Sequence, residues 1–296
     1  TIRHKTHVPT SVKWIAGSEE GMLAIIDLDG TVYTPGSAGY EGLYEGRSTL
    51  WIGQHNVEYF GDGEYLMFDN AFDPVTNEFV GHSRLLIVRV NEMDMTASLV
   101  WEFRLGYNSS VYGDNDRLPT GNLLGCGWPS SPNKDGTFDA QILEVVRDTS
   151  EVAWSAEIYG DSTRQDQCTN DDTESGSCMY GWMMYSVERL YKEPIIQNAT
   201  CTRTSTNGGA LDESYRISAV VFNNFKTSNP YGGSFEIVES LSGRKLKGGD
   251  FNFVPHWRPT VLNIDLTSNQ IVCTKGCSLI VINHVHDTAR RHVICS

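Results

Sequence analysis

A chain of 296 residues with 40% hydrophobic content is long enough for two domains and a large core, yet no apolar run reaches the roughly 20 residues that span a bilayer. A formal charge of −14 and an isoelectric point near 4.9 repel nucleic acid and anionic lipid at long range, so neither is an expected partner. Any anionic ligand would need a local arginine or histidine cluster.

Three tryptophans organise residues 1–197. Trp51 in STLWIG, Trp101 in SLVWEF and Trp154 in EVAWSA recur at about 50 residues. A turn glycine entering an apolar strand precedes each: Gly21 before MLAIID, Gly63 before EYLMFD and Gly121 before NLLGCG. The repeating unit reads inner strand, tight turn, apolar strand, loop, strand, turn, Trp strand. That period fits a propeller blade better than a horseshoe or a helical solenoid. One such sheet cannot bury both faces alone, so neighbouring units are expected to stack around an axis and share a core.

Residues 198–296 change character and predict a second domain, a small immunoglobulin-like β-sandwich. SYRISAVVF (214–222), SFEIVES (234–240), TVLNIDL (260–266), CSLIVINHV (277–285) and RHVIC (291–295) alternate or run apolar between turn residues. The polar stretch NATCTRTSTNGGA (198–210) reads as the link. Helical periodicity is nearly absent, and the whole chain is expected to be all-β.

Seven cysteines and two glycosylation sequons, at Asn108 and Asn198, point to an extracellular or secretory-pathway setting. A start at Thr1 suggests a processed product or a fragment. Cys168 and Cys178 bracket an acidic loop that a disulfide would tether. Cys273 and Cys277 flank a three-residue hairpin loop and can face one another across it. Cys201 and Cys295 then join the ends of the sandwich, and Cys126 is left as a buried thiol. The competing reading of Cys273, Cys277, His284 and His286 as zinc ligands matches no common spacing, so no metal is expected.

The inner strands beginning THVPTSVKW (6–14), GQHNVEYF (53–60), SSVYGDNDRL (109–118) and MMYSVERLY (183–191) carry a resemblance, GQHN followed by YLMFDN (65–70) above all. With SRLLIVRVNE (83–92), VWEFRL (100–105) and RLPTGNLLG (117–125) in the same order, this portion of about 190 residues resembles the arylsulfotransferase family. Those proteins are six-bladed propellers that move a sulfuryl group between phenols without a nucleotide donor. The resemblance implies that a histidine nitrogen attacks sulfur while a phenolate leaves, and that further histidines, Asn and Arg steady oxygen charge in an axial funnel. No separate cofactor is implied. His7 and His55 match two of the family's histidine positions, and Asn70 and Arg84 match further positions that make them candidate funnel residues. For both histidines the plainer alternative is a satisfied strand-end side chain.

Two departures matter. The family's later inner strand reads approximately Thr-His-Tyr-Arg-Ala, and its histidine is the nucleophile; here the resemblance puts Met184 of MMYSV at that position. A thioether neither carries a sulfuryl group through a comparable intermediate nor relays a proton. Pro9 also stands where the family has Asn, unless HVPTSV shifts the register. THV belongs to a middle blade of the family propeller, so about three blades and part of another are expected. Another chain, or a cleaved N-terminal fragment, is then the favoured source of the missing blades; truncation or closure with fewer units are the alternatives.

Of the remaining motifs, Tyr59, Phe60, Tyr65 and Phe68 read as blade core rather than a ligand platform. Asp114, Asn115 and Asp116 read as a solvated turn rather than a calcium loop. The favoured function is a secreted sulfotransferase-like propeller that binds a small aromatic or sulfated ligand or plays a structural part, its transferase activity lost or weakened as in a pseudoenzyme. The alternative is an active aryl sulfate:phenol sulfotransferase working through a sulfohistidine.

Overall fold

The computed structural model describes residues 2–5, 12–17, 20–41, 51–73, 76–131, 137–160, 180–205, 213–266 and 276–295. His7, Cys168, Cys178 and Cys273 lie outside the described residues. The chain divides into two compact units, Thr1–Val187 and Glu188–Ser296. That division precedes the boundary read at 197/198, which falls inside a strand.

Among the described residues, the regular structure of unit one is almost all strand. β1 (Ile2–Lys5) and β2 (Val12–Ala16) form one antiparallel pair, β3 (Ala24–Ile26) and β4 (Val32–Tyr33) another, and the short helix α1 (Ala38–Glu41) follows. Then comes β5 (His55–Gly61), β6 (Glu64–Asp69), a small hairpin of β7 (Phe72–Asp73) and β8 (Glu78–Phe79), β9 (Arg84–Asn91) and β10 (Thr96–Arg104). β5, β6, β9 and β10 are a four-stranded antiparallel blade, and β3 adds to its outer edge in parallel with β10. A second blade consists of β11 (Asp114–Arg117), β12 (Leu123–Gly127), β14 (Ala140–Val145) and β15 (Val152–Ile158). β13 (Thr137–Phe138), on the approach to β14, pairs in parallel with β16 (Tyr180–Gly181).

The repeat is therefore propeller-like but less regular than the tryptophan period suggests. Gly63 and Gly121 do turn β5 into β6 and β11 into β12, with φ of 77° and 91°. A side chain on Gly63 would begin 2.4 Å from the Val90 carbonyl oxygen. Gly21 has no positive φ, and the strand after it lies along β10 instead of forming the second strand of a blade. Trp101 and Trp154 occupy fourth strands, whereas Trp51 belongs to no strand and packs with Trp14 and Tyr40. The inner strand expected at 183–191 is also missing: residues 182–190 carry no strand.

Two cores flank the first blade. Leu66, Phe68, Leu85 and Ile87 pack with Leu123, Leu143 and Val145 of the second blade. Their neighbours Tyr65, Met67, Leu86 and Val88 face the other way, onto Trp14, Leu23, Ile25 and Trp51. Strict alternation thus sends successive side chains of one sheet into two separate apolar layers. Each fully buried Leu or Phe contributes roughly 1.5–3 kcal/mol.

Unit two comprises β17 (Ile195–Ser205), β18 (Glu213–Phe222), β19 (Tyr231–Glu239), β20 (Lys245–Phe253), β21 (Thr260–Leu266), β22 (Cys277–Asn283) and β23 (Thr288–Val293). They form two antiparallel sheets, ordered β17-β18-β21 and β20-β19-β22-β23. Ile217, Val221 and Ile264 from the first sheet share a core with Ile237, Phe253, Leu279 and Val281 from the second. The polar link expected at 198–210 begins as β17, because its register with β18 supplies the backbone partners that its side chains do not advertise. Cys201 on β17 is bonded to Cys295 beyond β23, so a disulfide ties one sheet to the other. Cys277 is also oxidised. Cys126 on β12 is a buried free thiol, and burial, aided by the nearby Asp114 charge, pushes its pKa up, so it stays protonated.

Candidate functional site

His55 opens β5 immediately after a tight turn at Gly53, whose φ is 71°. Its Nδ1 lies 2.6 Å from Asn70 Oδ1 and 3.0 Å from the Gly53 carbonyl oxygen. The Asn70 amide is oriented by its other end, since Nδ2 donates to the Ser109 carbonyl at 2.7 Å and to the Tyr112 carbonyl at 2.9 Å. Oδ1 must then accept, and Nδ1 of His55 carries the proton. Nε2 keeps the lone pair and makes no hydrogen bond to the described residues. A half-buried imidazole in this tautomer can accept a phenol proton or attack an electrophile.

Tyrosines line the approach. Tyr112, just before β11, meets the His55 ring edge-on with centroids 6.3 Å apart, and Tyr185 meets Tyr112 in the same way at 5.3 Å. Tyr185 is 60% exposed, so this row runs from the imidazole out to solvent. Asp114 stands at the same corner: Oδ1 accepts from Asn56, and Oδ2 accepts from the Val187 N–H at 3.1 Å, holding the end of unit one against β11. Asn56 and Tyr112 both have left-handed backbone, with φ of 47° and 66°, and bracket the same corner.

The two candidate funnel residues, Asn70 and Arg84, are both buried. Asn70 is fully buried and acts as a brace: Ser83 Oγ donates to its carbonyl at 2.8 Å and accepts from the Ser109 N–H at 2.7 Å, so β6, β9 and the loop before β11 are locked together. Arg84 is 5% exposed, with Nε on Asp69 at 2.7 Å and Nη1 on Glu102 at 2.5 Å. Burial opposes its charge, but Asp69 and Glu102 outweigh that and hold its pKa above the ordinary value. Its donors face carboxylates inside the blade because a guanidinium in an apolar layer must be paired. Met184 packs against Trp128, Phe138 and Ala140.

Asp114, Asn115 and Asp116 are buried on β11, not in a solvated turn, and no metal cluster occurs among the described residues. Of the four aromatics read as blade core, Phe60, Tyr65 and Phe68 are buried, and Tyr59 is 44% exposed. Asn198 is exposed at a bulge in β17, while Asn108 is half-buried. The sequence reading includes Asn56 in GQHN, Tyr112 in SSVYGDNDRL and Tyr185 in MMYSVERLY without giving them a role, and weighs Asp114 only for a calcium loop. Tyr112 lies in the SSVYGDNDRL stretch, where only the adjacent Gly113 signals an unusual backbone.

The arylsulfotransferase (ASST) family matches residues 5–167, more than half of the chain. The match includes His55, Asn70, Arg84 and Tyr112 and stops short of Met184 and Tyr185. No curated protein matches the chain.

Proposed function

The chain belongs to the arylsulfotransferase family, and from that premise we propose that its first unit binds a small aromatic or sulfated ligand beside His55, with sulfuryl transfer lost or weakened. One observation carries the reading: an open imidazole nitrogen ends a row of two tyrosines, while Met184, the residue at the expected nucleophile position, is spent on packing against Trp128 and Phe138. Tyrosine faces and edges suit an aromatic ring, and the imidazole suits a sulfate oxygen or a phenol hydroxyl. Orientation and charge stabilisation without a nucleophile supply only part of the rate. Incubation with an aryl sulfate donor and a phenol acceptor is expected to release donor phenol at background.

A second reading rests on the His55 tautomer. Asn70 and Gly53 hold the proton on Nδ1, which leaves Nε2 in the form needed for attack: an N–S bond forms, the S–O bond to the donor phenolate breaks, and a second phenol later takes the sulfuryl group. Ping-pong turnover abolished in His55→Ala would establish this enzyme and end the first reading.

A partner chain or cleaved fragment that completes the propeller belongs to the same proposal. Its support is β15, the outer strand of the second blade, where Val152 and Trp154 are 49% and 46% exposed. A stable monomer in light scattering would count against it. Secretion is supported by the Cys201–Cys295 disulfide and the exposed sequon at Asn198. Among the described residues no helix is long and apolar enough to cross a membrane.

A further inference from the structure

Within unit two, β17 and β23 are the end strands of their sheets, each paired along one side only among the described residues, to β18 and to β22. They meet at Cys201 and Cys295, where a parallel bridge accompanies the disulfide. Toward their N-terminal ends they part. The register of β17 with β18 slips between Gln197 and Thr200, around an Asn198 whose φ is 51°, and a bulge of this kind bends its strand. On the far side of it, residues 191–196 and 289–291 flank a cleft of about 310 Å³.

One wall is largely apolar and comes from Tyr191, Pro194, Ile195 and Ile196. Tyr191 is fixed there: its N–H donates to the Asn224 carbonyl at 2.8 Å, its own carbonyl accepts from Asn224 Nδ2 at 3.2 Å, and its ring lies 5.2 Å from that of Trp257. Arg291 is the anomaly of the other wall. It shares a face of β23 with Ala289 and Val293, which are 3% and 4% exposed, and stands opposite the core residue Leu279. Alternation assigns that position to the interior, yet it holds an exposed arginine. Arg290 and Lys192 add two more exposed cations, and Glu193 is the one carboxylate among the described lining residues. None of the three cations has a side-chain ion pair or hydrogen bond to the described residues. Their surroundings share the sign, since unit two holds 12 Lys and Arg against 9 Asp and Glu, whereas unit one holds 11 against 28.

We propose that this cleft docks an extended acidic segment of another protein, added as a strand along the β17 and β23 edges with its carboxylates on Arg291, Arg290 and Lys192. Open strand edges present backbone donors and acceptors to such a segment, and guanidinium groups add charge-assisted bonds to its side chains. An arginine turned inward at an edge also discourages pairing with apolar strands, so the same residue selects for acidic ones. A second copy offering its acidic first unit would join head to tail and propagate rather than close as a pair, so the occupant is a different protein.

The test is fluorescence anisotropy of a labelled octapeptide of alternating glutamate and valine, titrated with the intact chain. One saturable site is expected, weakened about tenfold in Arg291→Gln, weakened also by added salt, and unchanged in His55→Ala. Neither the counterpart of alternating lysine and valine nor the glutamate peptide with every amide N-methylated should bind, the first for its charge and the second for its missing backbone donors. Hydrogen exchange on the native chain gives an independent reading, with the amides of residues 195–197 and 289–291 slowed by the glutamate peptide. The proposal is overturned by absence of saturable binding, undiminished binding to folded Arg291→Gln, loss in His55→Ala, binding of the lysine or the methylated peptide, or exchange slowed only elsewhere. Tighter binding of a sulfated oligosaccharide would make the cleft a glycan site instead, and concentration-dependent assembly lost in Arg291→Gln would make it an interface between copies.

Discussion

β6 of the first unit and β21 of the second are apolar strands of similar length with opposite burial. All six residues of β6 are buried, whereas β21 alternates strictly, with Thr260, Leu262, Ile264 and Leu266 inside and their neighbours outside. A sandwich sheet needs one partner, so its outer face can be solvated. A blade needs two, one on each face, and the first blade has both. β15 shows what happens at the end of such a series: its first four residues are exposed among the described ones. The sandwich closes on itself, while each blade borrows stability from the next.

Core truncation should separate the two units most strongly. Phe68 is fully buried between the blades, so Phe68→Ala is expected to cost about 3–5 kcal/mol. Calorimetry should show the loss in one transition while the other stays in place. Movement of both by equal amounts would dissolve the distinction between a borrowed and a self-contained core.

Cys295→Ala tests the reverse. The Cys201–Cys295 bond closes a loop with a sequence separation of 94 residues, for which removal costs about 4 kcal/mol. Urea unfolding should place that loss in the sandwich, with the blade transition unchanged.

Smaller is the expected effect of Asn70→Ala, about 1–3 kcal/mol, since it strands the Ser109 and Tyr112 carbonyls without a donor. It should also release the His55 tautomer, so nitrogen-15 shifts that remain those of the Nδ1-protonated ring would show that the brace is unnecessary.

The smallest effect is confined to acid. Burial alone would raise the Glu64 pKa, but hydrogen bonds and charges from Arg147 and Arg89 overcome it and hold the pKa below its ordinary 4.5. A carboxylate depressed in the folded state contributes stability above that ordinary value and loses it as pH falls through the lower, folded one. The blade transition should therefore weaken below about pH 4.5, and Glu64→Gln should remove that part of the slope while leaving the sandwich's own dependence intact.

Legibility in the sequence tracks how local the cause is. TVLNIDL coincides with β21 because alternation is written residue by residue, and Gly63 and Gly121 mark turns because only those turns demand their backbone. The Thr-rich second half of β17 and the glycine-bearing β20 escaped, since each owes its strand to pairing with a neighbour. Trp51 shared the spacing of Trp101 and Trp154 without sharing their place, because one residue type can fill a core from a strand or from a loop. In the site, GQHN contains His55, and the same resemblance named Asn70 and Arg84; both are buried, Asn70 against His55 and Arg84 against Asp69 and Glu102, partners that no motif announces.

By itself the sequence determined the all-β class, the change of character near residue 200 and the histidine that opens an inner strand, since periodicity, turn chemistry and short motifs are properties of neighbouring residues. Only the tertiary structure decided which polar groups meet. The proton on His55 Nδ1 depends on an amide fixed by carbonyls of the loop before β11, and Glu64 is paired by Arg147 from 83 residues away. Such pairings are set by distances in space between strands that the chain order keeps apart.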